Sequence, residues 1–137
     1  MSGIFEVTTS EDMFHHFSAK YQLFISAPST STLLDVLFPC SHLKEWIEKD
    51  GQKNEKTELT LQQLDSSAEY KVIRSMCNNT KHFYKKSAPE TKIISGARAG
   101  IARAGDSLGQ DYFLVDAVDI RNHLSAVYEI YMRHFKG

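Results

Sequence analysis

The stretch 74–86, RSMCNNTKHFYKK, gathers the side chains of this chain best suited to handling a phosphate. Helix residues four apart lie nearly above one another. A helical reading therefore aligns Arg74, Asn78 and His82 as a polar stripe, flanked by Lys71, Lys81 and Lys85. The cations would hold a phosphate and Asn78 would orient it. His82 is the group of the stripe able to exchange a proton near neutral pH. Those parts suffice for metal-free RNA cleavage, in which a 2′-hydroxyl attacks its own phosphodiester. They equally suit a plainer arrangement, a basic helix whose His82 bonds to a neighbouring loop.

The N-x-x-K-H spacing of Asn78, Asn79, Thr80, Lys81 and His82 resembles that of uncharacterised bacterial and phage-associated helical proteins. Such proteins often continue with a glycine-containing strand region and a C-terminal helix. More distantly, the stripe is similar to the HEPN domains, helical bundles that often act as ribonucleases in toxin–antitoxin and phage-defence systems. That resemblance implies catalytic roles for Arg74, Asn78 and His82 without a metal. The HEPN pattern places about four to six residues between Arg and His, often with a polar residue directly after the Arg. Here seven residues separate Arg74 from His82, and Ser75 follows Arg74.

A second anion-binding candidate lies in 91–110, where Gly96, Gly100, Gly105 and Gly109 are interspersed with Arg98 and Arg103. Backbone amides there could cradle a phosphate. No Gly-Lys-Ser/Thr follows and no G-x-G-x-x-G is present, so a hairpin-forming loop is the expectation. Metal chemistry finds no foothold. His15 and His16 are adjacent and point about 100° apart on a helix, no His pair has three- or four-residue spacing, and Cys40 and Cys77 are isolated. Neither a metal nor a cofactor is expected, and no matched carboxylate pair suggests glycosidase chemistry.

Charge sharpens the picture. Residues 71–103 carry eight Lys/Arg against Glu90 alone, while 1–70 carry five against eleven acids and 104–137 carry three against five. A basic middle between acidic ends means either an anionic partner or mutual neutralisation across the fold. At 137 residues, 42% apolar and 24% charged, the chain reads as a single domain over 1–137 with enough surface to bury a core. No apolar run approaches a membrane span of roughly 20 residues. The first fifteen residues lack the apolar centre of a signal peptide, so a cytoplasmic protein with reduced thiols is expected.

The elements that must position these groups are mainly helical. Ile4–Val7 could extend as a short strand, followed by a capping box of Thr8 and Glu11. Met13, Phe14, Phe17, Tyr21, Phe24 and Ile25 then form a helical apolar stripe ended by Pro28. A second helix buries Leu33, Leu34, Leu37 and Phe38, with a kink or break expected at Pro39. Its continuation buries Leu43, Trp46 and Ile47 up to Asp50-Gly51. After a polar loop at 52–58, one long helix is expected from about Leu59 to Lys86. Strands at 91–95 and 112–115 pair as a hairpin, and a last helix opens near Asp116 or Asp119. The expected architecture is a bundle of about four to five helices with a small β-hairpin or extended glycine-rich segment before the C-terminal helix.

Within that frame the expected function is a non-catalytic binding or regulatory module. It would engage RNA, DNA or an acidic protein surface through Lys71, Arg74, Lys81, Lys85, Lys86, Arg98 and Arg103. The alternatives are a HEPN-like metal-independent ribonuclease and an assembly protein that forms homo-oligomers.

Overall fold

The computed structural model describes residues 5–50, 54–82, 90–95, 103, 105–106 and 110–137, with the side chains of 50, 80–82 and 95 outside that set. Its order is α1 (Ser10–Ser26), α2 (Thr30–Asp50), α3 (Glu55–Ser66), α4 (Ala68–His82), β1 (Thr91–Ser95), β2 (Asp111–Val115), β3 (Val118–Asp119) and α5 (Ile120–Lys136). The mainly helical bundle with a small antiparallel sheet is thus present.

Each helix start has a local cause. Thr9 caps α1 by accepting from the Asp12 amide at 3.1 Å, and the Asp12 carboxylate returns a bond to the Thr9 amide at 3.2 Å. The capping box is real but sits one residue later than Thr8 and Glu11 predict. Phe14, Phe17 and Phe24 of the expected stripe are buried, whereas Ile25 is exposed. Asn54 caps α3 through the Thr57 amide at 2.9 Å, so the expected polar loop at 52–58 already turns helical at Glu55.

Two larger departures concern continuity. The helix expected over 59–86 is two helices. Ser67 has extended backbone (φ −80°, ψ 118°), closes α3, and accepts from the Tyr70 amide at 3.0 Å to open α4. A serine at that junction satisfies an orphan amide of the new helix, which neither Gly nor Pro is needed to do. At Pro39 the opposite happens, and α2 continues unbroken to Asp50. Val36, Leu37, Cys40 and Leu43 are all essentially inaccessible on either side of it. The Tyr131 hydroxyl donates to the Cys40 carbonyl at 2.8 Å and the Tyr70 hydroxyl to the Ser41 carbonyl at 2.7 Å. Burial and these two braces hold the helix together where the proline ring removes one rung.

α1 and α5 meet through aromatic rings. Tyr21 stacks on Tyr128 at 4.7 Å and Phe14 on Phe135 at 4.9 Å. Leu64, Ile73, Ile120, Leu124 and Val127 complete a core to which every helix contributes. β1 pairs antiparallel with β2 (Thr91↔Val115, Ile93↔Phe113, Ser95↔Asp111), close to the predicted hairpin strands. β2 continues into β3 through a two-residue turn whose Asp116 and Ala117 both have positive φ, 48° and 66°. The Asp116 carboxylate accepts from the Glu90 amide at 3.0 Å, fixing the entry to β1. Among the described residues, no helix is long and apolar enough to cross a membrane.

Candidate functional site

α4 carries the predicted polar stripe, and its two faces differ sharply. Tyr70, Ile73, Met76 and Cys77 are buried, while Lys71, Arg74 and Asn78 are exposed. At about 100° per residue the three exposed side chains share one face of the helix, opposite Met76. Among the described residues, the ion pairs belong to Lys44 with Glu48 and Asp65, and to Arg121 with Asp106 and Asp119. None ties Lys71 or Arg74 to the acidic front of the chain.

Lys81 and His82 close α4, but their side chains lie outside the described residues, as do residues 85, 86 and 98 altogether. The backbone register of α4 places position 82 one turn beyond Asn78 on the same side. Arg103 is described and exposed. Its guanidinium donates to the Asn122 side chain and its amide to the Asp106 carboxylate at 2.9 Å. At this end of the glycine-rich segment a carboxylate of the protein itself therefore takes the amide that a phosphate would need. Gly105 turns the chain there at φ +91°, a conformation open to glycine.

The strongest ionic cluster has a structural task. Arg121 is buried, and its guanidinium contacts Asp106 at 2.8 and 3.2 Å and Asp119 at 2.8 and 2.9 Å. It also lies over the Tyr112 ring, 5.4 Å from the centroid. Burial opposes its charge, but the two carboxylates outweigh that and raise its pKa above the usual value. The Arg121 hydrogen bonds hold Asp106 down to about 2. Asp119 also caps α5, so the cluster fastens the chain around Asp106 to the start of that helix.

A feature that the sequence does not announce lies between α2, α4 and the β1–β2 hairpin. It is a cleft of about 590 Å³ walled by Leu33, Leu37, Met76, Ile93, Phe113 and Val115. Asn79 and Lys92 also face it. The Asn79 amide donates to the Ser75 carbonyl at 2.8 Å, and its Oδ1 is left buried without a hydrogen-bond partner. Around α4, Ser75 and Asn79 occupy the arc of about 140° between Lys71 and Met76, so the cleft and the cationic face adjoin.

The chain matches no known protein family, no curated protein and no solved structure.

Chemistry must then be judged from the groups themselves. Among the described residues no cluster of three His, Cys, Asp or Glu side chains could hold a metal. Cys40 and Cys77 are free thiols, both buried. Burial, and then the neighbouring Cys77, push the Cys40 thiol far above its ordinary value, which leaves it protonated and unreactive. His134 is spent on packing, with its Nδ1 2.7 Å from the Thr60 hydroxyl. What the arrangement offers is a cationic helix face and an apolar cleft beside it.

Proposed function

We propose that this protein is a non-catalytic nucleic-acid-binding module whose α4 face follows a phosphate backbone. The observation that carries this reading is the shared exposure of Lys71, Arg74 and Asn78 on one side of a helix whose other side is buried. Two flexible cations and an amide spaced by single helical turns can each meet a phosphate without asking for a particular base. Three further lysines of the basic segment, Lys81, Lys85 and Lys86, extend the same run in sequence. A rigid scaffold positions the face, since α4 is braced to α2 by Tyr70.

Fluorescence anisotropy with a labelled single-stranded RNA of about 20 nucleotides tests this across a salt series. Affinity falls steeply as salt rises, with a log–log slope of about −0.7 per phosphate contact. The double variant Lys71→Glu, Arg74→Glu weakens binding about tenfold or more and flattens that slope. Equal affinity of wild type and variant, or binding indifferent to salt, would remove the proposal. A poly-glutamate peptide that competes better than RNA redirects the same face to an acidic protein partner. RNA stays intact in EDTA, whereas cleavage that disappears in His82→Ala would instead support the HEPN-like reading.

A further inference from the structure

The cleft between α2, α4 and the hairpin has the size, lining and charge of a small-ligand site. Its volume of about 590 Å³ falls in the common range of such pockets, roughly 300–1,000 Å³. The walls are aliphatic and aromatic, and the apolar surface continues outward. Ile93 on one lip is 52% exposed and Leu34 on another is 36% exposed. Apolar side chains kept partly in water along the rim of an apolar cleft favour an apolar occupant.

Two polar features say what else that occupant carries. Lys92 faces the cleft and is exposed, so the rim offers a positive charge. Thr30, the first residue of α2, is also on the wall, and α2 has no acidic side chain in its first turn. The positive end of a 21-residue helix dipole adds to the field of Lys92. Asn79 supplies the second feature. With its amide nitrogen committed to Ser75, the Oδ1 atom is an acceptor without a donor in the wall of an apolar site. A buried acceptor of this kind is costly, and a ligand N–H or O–H relieves the cost. The oxygen is itself covered, so a small turn of the Asn79 side chain is needed to present it.

We propose that this cleft binds a long-chain carboxylate that carries a hydrogen-bond donor close to its head, as N-acyl amino acids and hydroxylated fatty acids do. The chain lies against Leu33, Leu37, Met76 and Phe113, the carboxylate meets Lys92, and the donor meets Asn79. The site is distinct from the Lys71–Arg74–Asn78 face, and its ligand does not depend on nucleic acid.

Calorimetric titration with N-dodecanoylglycine, 3-hydroxydodecanoate and plain dodecanoate, each below its micellar range, tests the assignment on the whole protein. Wild type binds one molecule and prefers the two donor-bearing probes over dodecanoate by about tenfold. Whichever of the two binds better identifies amide or hydroxyl as the donor. Asn79→Leu erases that preference while retaining the apolar wall, and Lys92→Glu weakens all three probes about tenfold. Methyl NMR shifts localise to Leu33, Leu37, Met76 and Ile93. Lys71→Glu with Arg74→Glu leaves these titrations unchanged, which separates this site from the nucleic-acid face. Absence of binding by folded wild type up to about 1 mM, shifts confined elsewhere, or indifference to Lys92→Glu would overturn the proposal.

Discussion

Arg121 illustrates how much a single side chain can hold in place. Its guanidinium is buried between Asp106 and Asp119, so its removal strands two carboxylates with little access to water. Arg121→Met is expected to cost about 3–5 kcal/mol in urea unfolding, because breaking a buried pair leaves an uncompensated charge. The same cluster sets an acid limit. The folded Asp106 carboxyl sits at about 2 against an ordinary 3.8, so its contribution to stability is present above the ordinary value and is lost as pH falls through the folded one. Wild type therefore weakens between about pH 4 and pH 2, and Asp106→Asn flattens that part of the stability–pH curve. Nothing in the linear order of residues marks this cluster, since Asp106 and Arg121 are fifteen positions apart with β2 and β3 between them. Asn79 was hidden for a related reason: its role depends on which wall it faces, and a helical wheel of α4 alone does not supply the opposite wall.

Helices were legible wherever periodicity and caps agreed, as for α1, and illegible where a tertiary contact decided the outcome. Pro39 is the clearest case. Its ring predicts a kink or a break, and buried neighbours and two tyrosine hydroxyls from α4 and α5 keep α2 unbroken. Pro39→Ala should stabilise by about 1 kcal/mol, the regained helix propensity being partly offset by the lost buried ring. Ser67 shows the converse, since a helix can end without Gly or Pro when a serine caps its successor. The β2–β3 turn was not expected from the sequence either, since its Asp116-Ala117 pair is neither Asn-Gly nor Asp-Gly. Ala117 holds φ 66° there, a region that glycine enters without steric cost. Ala117→Gly is expected to raise the melting temperature by a few degrees, equivalent to up to about 1 kcal/mol. Thermal scans of the two single variants check both statements.

Over the whole molecule the sequence conveyed the class of fold, and it missed the cleft. Composition and periodicity report which residues leave water, whereas a cleft is a shortfall in packing between elements far apart in the chain. The two cysteines offer a global reading of stability. Both are buried in the shared core, and burial keeps Cys40 protonated. A thiol-reactive aromatic disulfide should therefore label them no faster than the protein opens. Labelling within seconds under native conditions would contradict the burial described.

The tyrosine braces also govern how this molecule can yield. Tyr70 and Tyr131 fasten α4 and α5 to consecutive carbonyls of α2, so those three helices cannot slip past one another by a turn without severing both bonds. Asn79 lies nine residues along α4, about 14 Å from the Tyr70 anchor, so a tilt of the helix about that bond would displace Asn79 more than Tyr70. Such a tilt would carry Asn78 and the turn that ends at His82 along with Asn79, because all of them lie on the same stretch of α4.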